Sequence, residues 1–380
     1  MSGFRCSKCD WTDSADHQTW RCARCGSVIE LDRPAAELDV HGLKGDGVWR
    51  YSDWIGIKPS VTLGEVRTPL VTLPVTGNVQ AKNDSFLPTG SFKDRGAAVL
   101  VAWLLAHGAK HIVLDSSGNS GAAHAAYAAR AGLVCEIYAP SHTSSGKLAQ
   151  ARAYGARVCT IDGPRAASSH AAQQAAARLG ASYASHQWHP AFLAGTETIA
   201  FELWEQCDVL PTAVILPVGA GTLLLGVARG FQRLGAAGLI TVIPRLIGIQ
   251  ARTCAPIARA LGCKGIGQTP GPSVAEGIQV VDPPRSQQII AAIRDSGGTV
   301  LTVSDEDILA HHGRLARHGI LVEPTAAASV AGVCVAQERG LVGTHDPVVA
   351  ILTGSGLKTL DRYPLAPHVA SDGGDHQPTA

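Results

Sequence analysis

From Ala35 to about Pro364 the chain alternates between two kinds of segment. Short, almost continuous apolar runs end in Gly- or Ser-rich turns, and Ala-rich stretches of helical character follow. His111-Ile112-Val113-Leu114-Asp115 runs into Ser116-Ser117-Gly118-Asn119, and Ala122 to Ala131 then reads as helix. Val134-Cys135-Glu136-Ile137-Tyr138 is followed by a helix-like stretch from Gly146 to Tyr154, and Arg157-Val158-Cys159-Thr160-Ile161 by a further Ala-rich run. Val214-Ile215-Leu216-Pro217-Val218 leads into Gly219-Ala220-Gly221-Thr222, and Val348-Val349-Ala350-Ile351-Leu352 into Thr353-Gly354-Ser355-Gly356. Such β-turn-α repetition predicts an α/β protein with parallel sheets covered by helices. Ligands of such sheets bind at the carboxyl ends of the strands, where these Gly/Ser turns lie.

The two ends break the pattern. Residues 1 to 33 are polar and Cys-rich, with Cys6-x2-Cys9 and Cys22-x2-Cys25. Each CxxC aims two thiolates at one ion, and two such knuckles complete a tetrahedral site. The segment is too short for a core of its own, so a structural zinc on Cys6, Cys9, Cys22 and Cys25 would supply its folding energy. A reduced metal-free arm or a redox dithiol is the competing reading. Four thiolates leave no place for a catalytic water. The remaining cysteines, Cys135, Cys159, Cys207, Cys254, Cys263 and Cys334, read as small buried hydrophobes. The end of the chain, 366–380, reads as a flexible tail.

Composition narrows the function. The 380 residues are 46% hydrophobic and 17% charged, with a formal net charge of +1. That is ordinary for a globular chain long enough for two domains, and it supplies no field to draw in nucleic acid or membrane. No apolar stretch is long enough to span a bilayer, and Met1-Ser2-Gly3-Phe4-Arg5-Cys6 lacks the apolar core of a signal peptide. A cytoplasmic protein is expected.

The chemistry concentrates in a few turns. Lys93 stands in Pro88-Thr89-Gly90-Ser91-Phe92-Lys93-Asp94-Arg95-Gly96. Burial lowers a lysine's pKa and frees its amine to condense with carbonyl groups. Gly219, Ala220, Gly221, Thr222 and Leu223 follow a strand and open an apolar helix, where backbone N–H groups and the helix dipole suit an anion. A nucleotide loop is the rival, but GxxxxGK[ST] is absent and the surroundings do not match GxGxxG, so a single phosphate fits better. Ser116, Ser117, Gly118, Asn119 and Ser120 offer hydroxyl and N–H donors at a helix start, which suit a carboxylate and also serve as ordinary helix caps.

Together these segments resemble threonine synthase and its fold-type II pyridoxal-phosphate relatives, the tryptophan synthase beta superfamily. The likeness runs from about 50 to 365 in the family's order: lysine, Asn loop, phosphate loop, hydroxyl segment. The Cys-rich N-terminus is similar to that of some bacterial and archaeal threonine-synthase-like proteins. The resemblance implies two parallel-sheet α/β domains with the cofactor between them. They would comprise a large domain of 34–95 and 186–365 and a small one of 96–185, beside a zinc-ribbon segment of 1–33. It implies pyridoxal phosphate carried on Lys93 with Phe92 beside it and its phosphate in the Gly219–Leu223 turn. Asn119 would meet the ring hydroxyl, and Thr353, with Ser355 second, the pyridine nitrogen. Ser116, Ser117, Gly118 and Ser120 would receive the substrate carboxylate. A hydroxyl facing the ring nitrogen makes a milder electron sink and suits eliminations and replacements. Glu276 is placed as a pocket residue and Glu323 as a structural turn residue.

The resemblance thins at His186-Gln187-Trp188-His189-Pro190-Ala191-Phe192-Leu193-Ala194-Gly195-Thr196-Glu197-Thr198. Threonine synthases commonly carry Asn-Pro-Tyr-Arg there, and the arginine helps bind the substrate phosphate. Phe192 replaces that arginine and His189 the Asn. Lys147, Arg152 and His189 are the available substitutes, with His189 expected in a solvated loop. The implied reaction is conversion of O-phosphohomoserine to threonine and phosphate. The alternatives are β-elimination or β-replacement, as in a serine/threonine ammonia-lyase or a cysteate-synthase-like enzyme, and a non-catalytic ribbon protein on a degenerate core. The expected partners are a small amino-acid substrate and a second copy in a homodimer, without nucleic acid or membrane.

Overall fold

The computed structural model describes residues 3–33, 38–75, 77–143, 145–266 and 271–363. The expected tail at 366–380 lies outside the described residues. Among the described residues the alternation becomes two sheets. One holds, in spatial order, Thr299–Val303, Arg245–Ala251, Ala213–Pro217, Val348–Leu352, Val79–Asn83 and Leu70–Thr72. Its neighbours are parallel except for Leu70–Thr72, which pairs antiparallel at the edge. The other, wholly parallel, runs Arg157–Ile161, Val134–Pro140, His111–Asp115, Ser182–Tyr183. The fully buried strands Ala213–Pro217 and Val348–Leu352 explain the continuous apolar runs, because helices cover both faces of a parallel sheet.

The helix Ala191–Gln206 sets the geometry between the reactive turns. A Cβ on its Gly195 would lie 2.0 Å from the Arg95 carbonyl oxygen, so it touches the backbone of the helix Lys93–Ala106. A Cβ on Gly226 would lie 2.0 Å from Thr196 Oγ1, so the helix Thr222–Ala236 packs as closely on its other side. Small residues at helix contacts let backbones approach, and here they set two helix N-termini, Lys93 and Thr222, at one level of the helix Ala191–Gln206.

The N-terminal segment is a three-stranded antiparallel ribbon, Gly3–Cys6, Thr12–Ser14 and Ile29–Leu31. It is less separate than its composition suggests. Phe4, Cys6, Cys22 and Ile29 are buried in the same apolar cluster as Trp103, Leu193 and Phe231 of the body. The ribbon lacks a core of its own because it borrows the body's.

No helix among the described residues is long and apolar enough to cross a membrane. Of the scattered cysteines, Cys135 and Cys254 are buried as expected; Cys159, Cys207, Cys263 and Cys334 are only half-buried.

Candidate functional site

Lys93 is the first residue of its helix, with Phe92 as N-cap. The residues around it explain the motif. Asp94 is fully buried and accepts hydrogen bonds from the Thr89 N–H at 2.7 Å and hydroxyl at 2.6 Å, which closes the turn before the lysine. Arg95 is fully buried between Asp84 and Glu202, with Nε at 2.8 Å from Asp84 and Nη1 at 2.5 Å from Glu202. The acid and base that follow the lysine are therefore anchors, and Lys93 is the member left for chemistry. Its Nζ sits 4.5 Å from the Phe92 ring centroid and 5.7 Å from that of Phe192. Burial pushes its pKa down to about 7, against the pull of the Glu323 carboxylate and with help from Arg165. A large share of the side chain is then neutral amine near pH 7.

The Thr353 turn lies directly beside it. Phe92 N–H donates to the Thr353 carbonyl at 3.0 Å, and Ser355 N–H to the Gly90 carbonyl at 2.9 Å. Asn119 Nδ2 donates to Glu323 at 2.9 Å, and the Thr353 hydroxyl meets the other Glu323 oxygen at 3.4 Å. Lys358 Nζ donates to Asn119 Oδ1 at 2.9 Å. Asn119 and Thr353 thus meet on Glu323, whose charge acts on Lys93. The expectation that Glu323 is structural is corrected. Glutamate before proline usually marks a helix start, and it does so here, as N-cap of Pro324–Glu338, but its side chain turns into the site. The Ser355 hydroxyl accepts from Leu357 N–H at 3.3 Å and caps its own turn, which leaves Thr353 as the hydroxyl of the site.

The Gly219–Thr222 turn follows the strand Ala213–Pro217 and opens the helix Thr222–Ala236. Gly221 has φ +77°, which favours glycine, and a Cβ there would meet Ile289 at 2.1 Å. Among the described residues no acceptor meets the N–H groups of Gly219, Ala220, Gly221, Thr222 or Leu223. Free N–H groups at the start of a helix after a parallel strand form an anion seat. Glu276 is exposed, on a turn whose Gly277 carbonyl lies against Gly219.

At the Ser116 loop the hydroxyls are largely committed. Ser116 Oγ accepts from Gly118 N–H at 3.3 Å and Gly121 N–H at 2.8 Å, and Ser117 Oγ accepts from Arg165 at 3.2 Å. The N–H groups of Ser117, Asn119 and Ser120 have no acceptor among the described residues, so backbone donors would receive a carboxylate here. Ser120 Oγ lies 3.0 Å from His186 Nδ1 and 3.3 Å from His124 Nδ1. His124 Nδ1 also lies 2.7 Å from the Ser120 carbonyl oxygen, which can only accept. Nδ1 therefore carries the proton, and the buried Nε2 is a bare lone pair with no partner among the described residues. Burial pushes His124 down to about 4, and His186 well below its usual range, with Lys93 adding to both. Both imidazoles are neutral. Their rings lie 6.0 and 5.7 Å from that of Phe192, so the place of the missing arginine is apolar and uncharged.

Of the substitutes expected for that arginine, Arg152 is exposed on its helix, and the Lys147 side chain lies outside the described residues. His189 is corrected from a solvated to a buried residue. It is 1% exposed because the ribbon's Phe4 and Trp103 cover it, with ring centroids 6.0 and 4.8 Å away. Positive charge comes instead from Arg165, ion-paired with Asp115 at 3.2 Å, and from Lys358. Neither carries a signal in sequence beyond its charge.

In the ribbon, the sulfurs of Cys6, Cys9, Cys22 and Cys25 all lie within 4.8 Å of one another, with Cys6–Cys25 at 3.5 Å and Cys9–Cys22 and Cys9–Cys25 at 3.7 Å. Tetrahedral zinc with sulfur bonds of about 2.3 Å places its ligands about 3.8 Å apart. Lys8 N–H points at Cys6 Sγ and Cys25 N–H at Cys22 Sγ, the turn of a metal knuckle. The donor set and spacing fit zinc.

Comparison with known proteins agrees with this geometry. The family model described as "Pyridoxal-phosphate dependent enzyme" matches residues 61–354. The threonine synthase of Methanosarcina acetivorans is 33% identical over 94% of this chain and 92% of its own length. That of Methanocaldococcus jannaschii is 34% identical over 94% and 93%. Among solved structures, a threonine deaminase from T.th. superposes with a TM-score of 0.66 and 27% identity, over 81% of this chain and 96% of that one. An O-acetylserine dependent cystathionine beta-synthase from Helicobacter pylori gives 0.64 and 25%, over 78% and 94%.

Proposed function

This chain belongs to the pyridoxal-phosphate dependent enzymes, and from that premise we propose that it is a threonine synthase-like lyase. It would convert O-phosphohomoserine and water to threonine and phosphate. The observation that carries this reading is the meeting of Asn119 and Thr353 on Glu323, whose charge acts on the buried Lys93, together with a helix start whose N–H groups have no acceptor among the described residues.

The residues fit the cofactor. Lys93 has an amine with a depressed pKa to carry its carbonyl, and Gly219–Leu223 an anion seat for its phosphate. Asn119 would hold the ring hydroxyl and Thr353 the ring nitrogen. When bound, the cofactor supplies an electron sink for carbanion chemistry. The chain's own groups do the rest. The Ser117, Asn119 and Ser120 N–H groups hold the substrate carboxylate, and the Lys93 amine, once free, takes the Cα proton. Arg165 and Lys358 are the cations for a phosphate leaving group. Phe192 and the neutral histidines exclude water from the amine.

The same uncharged wall favours a second reading, β-elimination from a small amino acid such as serine or threonine. A panel of O-phosphohomoserine, O-phosphoserine, O-acetylserine, serine and threonine separates the two. Phosphate with threonine supports the first; ammonia without phosphate supports the second. Turnover of none supports the non-catalytic alternative.

Further proposals rest on the same reading. Cys6, Cys9, Cys22 and Cys25 hold one structural zinc, supported by their sulfur spacing. The large domain comprises 34–95 and 186–365 and the small one 96–185, supported by the separation of the two sheets. The enzyme acts in the cytoplasm as a homodimer.

A further inference from the structure

We propose that the N-terminal ribbon is a working part of the substrate side of the site, and that Arg285 is the positioning residue through which it acts. The inference rests on the reading of Lys93 as the reactive group. The segment between Ala184 and Phe192 has two sides. On one, His186 reaches Ser120 at 3.0 Å, and Phe192 stands 5.7 Å from Lys93 Nζ. On the other, the ribbon covers it. Trp20 meets Trp188 and Tyr183 edge-on at 5.1 and 4.8 Å, and Phe4 meets His189 at 6.0 Å. Gln18 Nε2 donates to the Gly180 carbonyl at 2.9 Å, and His17 bonds Ser182 at 3.0 Å.

Arg285 ties the two together. A guanidinium has five N–H donors, and all are used. Nε donates to the Gln187 carbonyl at 3.1 Å; Nη1 donates to Glu30 and to Gln288, each at 2.9 Å. Nη2 donates to the carbonyls of Ile29 at 3.1 Å and Trp188 at 2.6 Å. Ribbon strand and substrate-side turn are thus held in one planar fork. Glu30 is fixed further by Arg229 at 2.7 Å and Gln288 at 2.7 Å. Burial works against the Glu30 carboxylate, but Arg229 and Arg285 overcome it and hold it at about 2. A cation satisfied only by carbonyls and one buried carboxylate fixes its partners in a single arrangement. None of these side-chain bonds reaches the turn Gly219–Thr222; Arg285 approaches it only through its backbone, as cap of the helix whose Ile289 packs on Gly221, so the effect of the guanidinium should fall on substrate far more than on cofactor.

The test uses the full-length holoenzyme and its Arg285→Gln and Trp20→Ala variants. The probe is O-phosphohomoserine, or whichever member of the substrate panel the wild type turns over. KM, kcat and cofactor affinity by absorbance titration are measured. Arg285→Gln should raise KM by roughly tenfold or more, with kcat within about threefold and cofactor affinity within about twofold. Trp20→Ala, which removes a half-buried ring from the ribbon face, should raise KM in the same sense by roughly threefold. If Arg285→Gln does not fold, Trp20→Ala decides. An unchanged KM, or cofactor affinity falling in step with KM, overturns the inference. Failure of the functional reading shows itself separately, in the substrate that the wild type selects.

Discussion

On the proposed reading, Lys93 and Glu323 carry the proton chemistry of the site. The low lysine pKa comes from burial, and Glu323 opposes it, so the carboxylate limits how much amine is free at a given pH. Lys93→Ala should lower turnover by at least about a thousandfold and abolish covalent cofactor attachment, with an unchanged circular dichroism spectrum. Attachment to the wild-type apoprotein should slow as pH falls below about 7, because the ammonium cannot attack a carbonyl. Glu323→Gln removes the charge that favours the ammonium, so the falling limb of that pH profile should move to lower pH. A profile that stays in place or moves upward would mean that Glu323 does not govern the amine. Glu323 is illegible in sequence because glutamate before proline at a helix start is common, and nothing local says where its side chain points. Arg165 and Arg285 escape a sequence reading for a related reason: apart from Gln288, three positions from Arg285, their partners lie 48 to 256 positions away in sequence.

Among the elements, the helix beginning at Lys93 depends on a buried ion network more than on its own amphipathicity. Arg95 bridges Asp84 and Glu202, and the Glu202 carboxylate also pairs with the fully buried Lys82 at 2.5 Å. Removing Arg95 leaves Asp84 buried without its ion pair and Glu202 with Lys82 alone. Arg95→Leu should therefore cost about 3–5 kcal/mol in urea unfolding, and near-wild-type stability would contradict the network's role. The strands are legible because parallel strands buried on both faces are apolar: His111–Asp115 and Val348–Leu352 fall where the runs fall, and so does the edge strand Arg157–Ile161, which is only partly covered. The helix packing is not. Gly195 and Gly226 read as ordinary helix glycines, and only the approach of Arg95 and Thr196 shows why no side chain fits there.

At the scale of the molecule, the ribbon is the feature that composition describes least well. Its apolar residues Phe4, Trp20, Val28 and Ile29 are too few and too scattered to show periodicity, yet they seal it onto the body. Metal analysis of purified protein should give about one zinc per chain. Removing it should lower the melting temperature and expose the ribbon's amides to exchange, with those of Ser185–Phe192 following. Exchange confined to residues 3–33 would mean that ribbon and site are independent. The central claim, a lyase that releases phosphate and returns threonine, is tested most directly with O-phosphohomoserine in heavy-oxygen water. The account predicts threonine and inorganic phosphate in equal amounts, with the heavy oxygen in the threonine side-chain hydroxyl and none in the phosphate. Heavy oxygen in the phosphate, or ammonia and a 2-oxo acid in place of threonine, would contradict it.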